Sequence, residues 1–397
     1  MLSPSIFKEK RHIIDGVFIV LFMAMLTLPL AFIDLSSNRV SVQENRMLAA
    51  RPNLADMKNH PGTFIRGFDA WFKDSTGFRK QLLALYNVAG MNLQSGVMYK
   101  NGPVVYLIGE HGHHFWAGEN GYLIQWFQGE PIISDEQLAN MANKLEEIKV
   151  YLDKKDIQFV VMFCTMKESI YPEFYPKAVK RGPQPVQLDV ITGYLQEHTS
   201  VDVFNIKQAL LAEKDNYLLY PVSSGDLGHY TDIGAFFAYR ELMKHINTYF
   251  PDIVPYDLND IDIIYDIDGI PYVSLKEKNN YKRLDPSFFD DVELARPFTW
   301  ENEAYETIKT NLPVILFLHD SYVGYINGVQ ERKFIKQFIA PQFGRVIFIY
   351  YQNMKHFEEY VAKYKPDLVV FESVEARLPE FAKLIAWQQF AAVPMNR

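Results

Sequence analysis

The chain has a single cysteine, Cys164, among its 397 residues, so no disulfide can form within it. Cys164 follows the apolar run 159–163, where a buried and unreactive thiol is expected. An excess of positive charge is absent too, since 40 Lys and Arg stand against 48 Asp and Glu and leave a net charge of −8. A nucleic-acid partner needs a basic surface, so this composition argues against one. Internal repeats and low-complexity tracts are absent as well.

Metal-binding patterns are incomplete in this sequence. The acidic stretch 262–268 invites a calcium-loop interpretation, but an EF-hand aligned on Gly269 would have Ile264 at its first position and Leu275 at its twelfth. Three histidines within 111–114 lie in a glycine-containing turn, which does not give zinc ligands a shared face. We therefore expect an acidic loop or hairpin at 262–268 and no metal site.

One long apolar run is present, from Val17 to Ile33, and basic residues precede it. Counted from Ile13, it reaches the roughly 20 residues that span a bilayer core. The basic flank predicts a cytoplasmic tail at 1–12, a transmembrane signal anchor at 13–34 and translocation of the remainder. A cleaved signal peptide is the alternative, but no small-x-small cleavage site follows the run.

Beyond the anchor, the polar stretch that begins at residue 35 and a helical segment predict a linker and helical extension up to residue 100. From 101 to 397, helical and strand patterns alternate, which predicts an α/β domain with a parallel sheet covered by helices on both faces. A capping box at 134–137 opens the first of these helices. The predicted strands are 157–163, 201–204, 314–318, 345–350 and 368–371, and the predicted helices are 134–152, 186–198 and 231–250.

Ser321 is the candidate nucleophile because an apolar strand, 314–318, leads directly into an Asp-Ser pair. In a parallel sheet, ligands collect outside the carboxyl ends of strands. A serine hydroxyl is a poor nucleophile until a base takes its proton, and Asp226-Leu-Gly-His229 supplies a histidine with an acid. We expect Ser321 as nucleophile, His229 as general base and then acid, and Asp226 as the residue that orients the histidine. Asp320 is expected to hold the serine turn.

These motifs, with the acid and histidine before the serine, resemble the alginate O-acetyltransferase family of SGNH-like proteins. Further blocks in the same order carry the resemblance over roughly residues 40 to 380. The blocks are Glu44-Asn-Arg46, Phe68-Asp-Ala-Trp71-Phe-Lys-Asp74 with Phe78-Arg79, Val105-Tyr-Leu-Ile-Gly109-Glu-His-Gly112, Lys167-Glu-Ser-Ile-Tyr171-Pro172, His229-Tyr-Thr-Asp-Ile-Gly234-Ala235 and Pro366-Asp-Leu-Val-Val-Phe-Glu372-Ser-Val-Glu375-Ala-Arg377.

The resemblance implies an SGNH-hydrolase-like, flavodoxin-like domain, with Tyr322, Lys167 and Tyr171 as substrate-binding neighbours. Two positions depart from the family pattern. The family usually has one residue between acid and histidine where this chain has two, which leaves Asp232 as an alternative acid. It also commonly has glycine where His319 stands, so His319 is a second candidate base.

The resemblance implies a periplasmic enzyme, held at the inner membrane, that acetylates hydroxyls of an exported polysaccharide. A membrane-bound O-acyltransferase partner would deliver the acetyl group, and neither free acetyl-CoA nor a metal would be needed in the domain. Two alternatives stay open. A carbohydrate acetyl esterase would use the same triad with water as the acceptor, and a catalytically silent glycan-binding or scaffolding subunit would not use it at all.

Overall fold

A computed structural model describes most of the chain, in two compact units, 1–94 and 95–397. The described residues are 16–20, 22–24, 27–34, 40–41, 46–47, 49–54, 56–59, 61–78, 97–101, 104–119, 122–131, 133–182, 187–223, 227–277, 281–289, 302–307, 311–327 and 330–386.

The first unit contains short helices and a small β-ladder. Residues 16–20, 22–24 and 27–31 are helical. They are followed by strands β1 (Val40–Ser41) and β2 (Arg46–Met47), which pair antiparallel, and by helices α1 (Asp56–Asn59) and α2 (Pro61–Ser75). No helix within the described ranges has the length and apolarity to cross a membrane. The signal anchor at 13–34, part of which lies outside those ranges, stays a prediction.

The second unit alternates strands and helices as the sequence predicts. Its strands are β3 (Val97–Asn101), β4 (Val104–Ile108), β5 (His114–Glu119), β6 (Gln158–Cys164), β7 (Asp202–Asn205), β8 (Ile261–Tyr265), β9 (Pro271–Leu275), β10 (Tyr281–Arg283), β11 (Glu303–Thr307), β12 (Val314–His319), β13 (Tyr325–Asn327), β14 (Gln330–Arg332), β15 (Arg345–Tyr350) and β16 (Leu368–Val374). Its helices are α3 (Tyr122–Phe127), α4 (Asp135–Asp153), α5 (Lys167–Ile170), α6 (Gln187–His198), α7 (Lys207–Leu211), α8 (Asp232–Tyr249), α9 (Lys336–Ile339), α10 (Phe357–Tyr364) and α11 (Leu378–Ala386).

Among the described residues, seven strands form the central sheet, in the order β10-β11-β15-β12-β16-β6-β7. The run from β15 to β7 is parallel, whereas β10 and β11 add antiparallel to the β15 edge. Strand β12 is central, with parallel neighbours on both sides. Helices flank the sheet, with α4 against α11 and α8 against α7 and α9. The predicted α/β class with a helix-flanked sheet is confirmed, and the antiparallel edge is an addition that the sequence pattern did not indicate.

The predicted elements and the observed ones differ by about one residue at most ends. Helix α4 begins where the sequence places its capping box, because Ser134 Oγ accepts from Gln137 N and Gln137 Oε1 accepts from Ser134 N. Strand β16 is the exception, since it continues to Val374 rather than ending at 371. Its polar residues Glu372 and Ser373 stay in the ladder with β6 and are fully buried, so a strand defined by apolar residues ends too early.

The acidic stretch 262–268 forms a hairpin, which confirms one of the two forms expected for it. Strands β8 and β9 pair antiparallel across a turn in which Gly269 has a φ of +75°. One carboxylate oxygen of Asp266 accepts the backbone N–H groups of Asp268 and Ile270 at 2.9 and 2.8 Å. The Asp266 side chain thus stabilises the turn.

Candidate active site

The serine turn begins where β12 ends, at the carboxyl edge of the sheet. His319 is the last residue of β12, and Ser321 opens the turn that follows. Ser321 is only partly buried, whereas Asp320 before it and Tyr322 after it are each 2 % exposed. Ser321 is therefore a partly exposed residue between two buried neighbours.

Asp320 fixes this turn to strand β16. Its two carboxylate oxygens accept the backbone N–H groups of Tyr322 at 2.9 Å and Val374 at 2.7 Å, and its own N–H donates to Glu372 Oε2 at 3.0 Å. Burial raises the pKa of both carboxyls, and that of Glu372 rises well above its usual range, with the charge on Asp320 contributing. Two amides favour the ionised form of Asp320, whereas Glu372 accepts one, so Glu372 is the more readily protonated of the two carboxyls.

His229 lies beside Ser321 although 92 positions separate them in sequence. Its Nε2 is 2.7 Å from Ser321 Oγ, which is hydrogen-bonding distance. The imidazole packs between two rings, with centroid distances of 4.8 Å to Tyr322 and 5.7 Å to Phe334. A serine hydroxyl in contact with an imidazole nitrogen is the arrangement in which the imidazole can take the hydroxyl proton.

Two tyrosines join the histidine loop to the serine turn by reciprocal hydrogen bonds. Tyr322 Oη donates to Gly228 O at 2.5 Å, and Tyr230 Oη donates to Tyr322 O at 2.5 Å. The residues before and after His229 are thus both bonded to the residue that follows Ser321. The predicted substrate-binding residue Tyr322 is buried in this arrangement, and its binding role stays a prediction.

The third member of the predicted triad, Asp226, lies outside the described residues. The ring nitrogen that an orienting acid would contact, His229 Nδ1, is buried. The alternative acid, Asp232, begins helix α8, and its Oδ2 accepts the N–H of Val273 in β9 at 3.3 Å. The choice of acid therefore stays a prediction.

The second candidate base, His319, contacts other groups than the serine hydroxyl. Its Nδ1 donates to the carbonyl of Asp320 at 2.6 Å, and its ring lies near those of Phe348 and Tyr350. Burial lowers the pKa of His319 well below its usual range, so the ring is neutral. The histidine whose nitrogen contacts Ser321 is His229.

Lys167 and Tyr171, the other predicted substrate-binding residues, lie at the same edge of the sheet, after β6. Lys167 is 1 % exposed, and its ammonium donates to three backbone carbonyls, those of His114, Pro221 and Val222. Tyr171 is also buried, and its hydroxyl oxygen accepts the N–H of Leu219 at 3.4 Å. Both contact the chain segment that leads to His229, and their binding roles stay predictions.

Two further buried carboxyls lie near the site and were not assigned a role from the sequence. Burial raises the pKa of Glu168 to about 8 and that of Glu375 to about 7. Glu375 accepts hydrogen bonds from Ser169 Oγ at 2.7 Å and Thr165 Oγ1 at 3.1 Å. Together with Tyr230, Phe334 and Glu372, these are the residues that sequence reasoning missed. An acid within an apolar strand, as at Glu372, was the one available signal.

The three histidines of 111–114 do not come together as ligands. His113 is buried and its ring stacks on Phe174 at a centroid distance of 4.2 Å, and burial lowers its pKa to about 4. The carbonyl of His114 accepts from Lys167, and its N–H donates to Val222 O at 2.7 Å. Among the described residues, no group of three or more His, Cys, Asp or Glu side chains is arranged to hold a metal ion.

The fold and the site together define an α/β protein with a Ser-His pair at the carboxyl edge of its central sheet. No protein-family model and no curated protein matches the chain. Solved structures do show similarity. A DHHW family protein from Eubacterium siraeum has 12% identity and a TM-score of 0.49, over 75% of this chain and 98% of that one.

Two other solved structures give comparable matches. PatB1 of Bacillus cereus has 12% identity and a TM-score of 0.49, over 69% of this chain and 97% of that one. The O-acetyltransferase domain of AlgJ from Pseudomonas putida has 14% identity and a TM-score of 0.42, over 71% of this chain and 98% of that one. Proteins of the kind that the motif blocks resemble are thus among the structures to which this chain is similar, at low sequence identity.

Proposed function

We propose that this chain is a membrane-anchored periplasmic O-acetyltransferase with an SGNH-like fold, which acetylates hydroxyls of an exported polysaccharide through Ser321. One observation carries the acyl-transfer chemistry. Ser321 Oγ lies 2.7 Å from His229 Nε2 at the carboxyl end of the central parallel strand. An activated hydroxyl at that edge of the sheet is suited to forming an ester with an acyl group.

The reaction runs in two half-reactions with one acyl-enzyme. Ser321 Oγ attacks the acetyl carbonyl of the donor while His229 takes the hydroxyl proton, and His229 then returns that proton to the departing donor oxygen. A hydroxyl of the polysaccharide next attacks the acetyl-Ser321 ester, giving its proton to His229. His229 protonates Ser321 Oγ as the serine leaves, so the enzyme is restored. Asp226 would orient His229 through Nδ1, the buried ring nitrogen.

The acetyl group and the polysaccharide enter this proposal from the resemblance of the motif blocks to the alginate O-acetyltransferase family. A membrane-bound O-acyltransferase would present the acetyl group on the periplasmic side. The apolar run that we interpret as a signal anchor would keep the domain beside that donor. Hydrolysis of carbohydrate acetyl esters is a second candidate, because Ser321 and His229 are only partly buried and water can reach an acyl-enzyme there.

The test is to incubate the full-length protein with a chromogenic acetyl ester and measure the mass of the peptide that carries Ser321. A gain of one acetyl group, about 42 Da, is the expected signature of the acyl-enzyme. Ser321→Ala and His229→Ala should abolish it. A matched control is His245→Ala, since His245 pairs with Asp202 at 2.7 Å away from the serine turn and should acylate normally.

The acceptor then separates the candidate functions. If added oligosaccharides accelerate loss of acetyl-Ser321 and become acetylated, the protein is a transferase. If the acetyl group goes to water at a rate that no oligosaccharide changes, it is an esterase. A folded protein that forms no adduct and releases no chromophore would instead be a non-catalytic glycan-binding or scaffolding subunit, and the proposal would be wrong.

A further inference from the structure

We propose that Lys167 is a positioning residue of this reaction, whose ammonium group holds the chain segment that carries His229 in reach of Ser321. The proposal rests on the function proposed above and adds a residue that acts through His229 rather than on the substrate. It assigns Lys167 a different role from the substrate contact that the sequence resemblance implies.

The contacts of the Lys167 ammonium carry the argument. Nζ lies 2.7 Å from His114 O, 2.5 Å from Pro221 O and 2.9 Å from Val222 O. An ammonium has three N–H donors, so these carbonyls use all of them. The side chain is 1 % exposed, which leaves no face for a sugar or an acetyl donor. Its partners are backbone groups, and two of them belong to the segment that leads to His229.

The segment before His229 is also bonded to Thr231, which follows His229 in sequence. The side-chain hydroxyl of Thr231 donates to Leu218 O at 2.7 Å, and the Thr231 N–H donates to Leu219 O at 2.9 Å. The stretch 218–222 is therefore fixed to the start of helix α8 by Thr231 and to helix α5 and strand β5 by Lys167. His229 lies between those two attachments in sequence, so removal of the ammonium releases one of them.

The described groups that the Lys167 ammonium bonds are backbone carbonyls, which carry no net charge. Its neighbour in sequence, Glu168, is buried and has a pKa raised to about 8, so it is mostly neutral at pH 7. Within the part of the chain that the structure describes, His113 and His114 also face Lys167, and their pKa values are lowered by burial and by Lys167 itself. Burial lowers the pKa of Lys167 to about 7.

Deprotonation of Lys167 should weaken its hold on the segment. A neutral amine has two N–H donors and a lone pair, so one of the three carbonyls loses its donor and faces that lone pair instead. Acylation of Ser321 should therefore fall as the pH rises through about 7, the pKa of Lys167. If Lys167 only filled space in the fold, whatever its charge, its replacement would lower the acylation rate by the same factor at every pH.

The experiment measures the rate of Ser321 acetylation by a chromogenic acetyl ester from pH 5.5 to 9.5, using full-length wild type, Lys167→Met and Lys167→Arg. At pH 6.5 we expect Lys167→Met to be slower than wild type by about 10- to 100-fold, because small displacements of a catalytic base have effects of that size. At pH 9.5 the two rates should lie closer together, because the neutral amine of the wild type has lost one of its three hydrogen bonds. Lys167→Arg, which stays charged, should lack the alkaline fall of the wild type.

Lys214→Met is the matched control. Lys214 Nζ donates to Ile170 O at 3.2 Å, a carbonyl of the same helix α5, and to Glu173, but not to the segment before His229. Its pH series should match that of wild type. A Lys167→Met series that parallels the wild type at a constant ratio, or that coincides with it, would overturn the positioning role.

Failure of this inference is distinguishable from failure of the proposed function. If wild type forms no acetyl-Ser321 at any pH, the proposed function fails. Hydrogen exchange of the peptide 218–231 in Lys167→Met still tests whether Lys167 restrains the segment before His229. Faster exchange than in wild type supports that restraint, and unchanged exchange contradicts it. If Lys167→Met does not fold, the wild-type and Lys167→Arg series decide the matter, because identical alkaline limbs in the two would contradict the role of Lys167.

Discussion

The serine turn and the histidine loop reach the same point of the site by different means. Ser321 is placed by its own strand, with parallel neighbours on both sides of β12 and the Asp320 carboxylate bonded to Tyr322 and Val374. His229 lies in a loop before α8, outside any strand, and is placed by side chains that bond to backbone carbonyls around it.

Because of this difference, mutations in the serine turn and in the histidine loop should have different consequences. Loss of a bond at the serine turn disturbs a buried part of the sheet and should lower the stability of the fold. Loss of a bond around the histidine loop leaves the sheet intact and should lower activity first. Variants at His229, Asp320, Glu168 and Tyr322 test this separation between stability and activity.

Removal of the histidine is the most severe break. His229→Ala should lower the rate of Ser321 acylation by roughly 10⁴- to 10⁶-fold, because the serine loses its base. The midpoint of urea unfolding should change little. The measurement is acylation rate beside urea unfolding, with His245→Ala as control. An acylation rate within tenfold of wild type would show that the contact between Ser321 and His229 is not catalytic.

Breaking the serine turn should instead reduce stability. Asp320→Ala leaves the buried N–H groups of Tyr322 and Val374 without their acceptors, which we expect to cost about 3 kcal/mol. Asp320→Asn keeps one acceptor oxygen and should recover part of that loss. Urea unfolding measures both, and Asp262→Ala, at an exposed position of the β8–β9 hairpin, is the control. Equal stability of all three variants would contradict the comparison.

Glu168, which is buried near both regions, should make stability depend on pH. Its pKa is raised from 4.5 to about 8 in the folded protein, so the protonated form stabilises the fold fully below pH 4.5 and this contribution is lost as the pH rises to about 8. From pH 5 to pH 7, Glu168→Gln should gain about 2 kcal/mol relative to wild type. Urea unfolding at the two pH values measures the gain. A difference between the proteins that is the same at both pH values would contradict the buried, protonated glutamate.

Loosening the histidine loop by one hydrogen bond should have the smallest effect. Tyr322→Phe removes the hydroxyl that donates to Gly228 O but keeps the ring that packs on His229. We expect about a tenfold slower acylation of Ser321, the size of one net hydrogen bond, with little change in KM for the ester. Tyr265→Phe, at an exposed position, should act as wild type. An increased KM with unchanged kcat would indicate that Tyr322 binds substrate, as the resemblance implies.

Much of this fold could be predicted from local patterns. The strands β6, β12 and β15 and the helices α4, α6 and α8 lie within about a residue of their predicted bounds, because apolar periodicity and capping residues act over short distances. The antiparallel strands β10 and β11 and the far end of β16 were not predicted. The strands β10 and β11 are short and contain few apolar residues, and Glu372 continues a strand although its side chain is polar.

The candidate pair could be identified from the amino-acid sequence alone, since a strand that runs into Asp320-Ser321 and a histidine that an acid precedes are both local features. The folded arrangement was needed to see that His229 rather than His319 contacts the hydroxyl, and that Lys167 binds backbone carbonyls. Which groups a side chain contacts depends on the distance between segments far apart in sequence and on how deeply they are buried. Neither the distance nor the burial can be obtained from local sequence patterns.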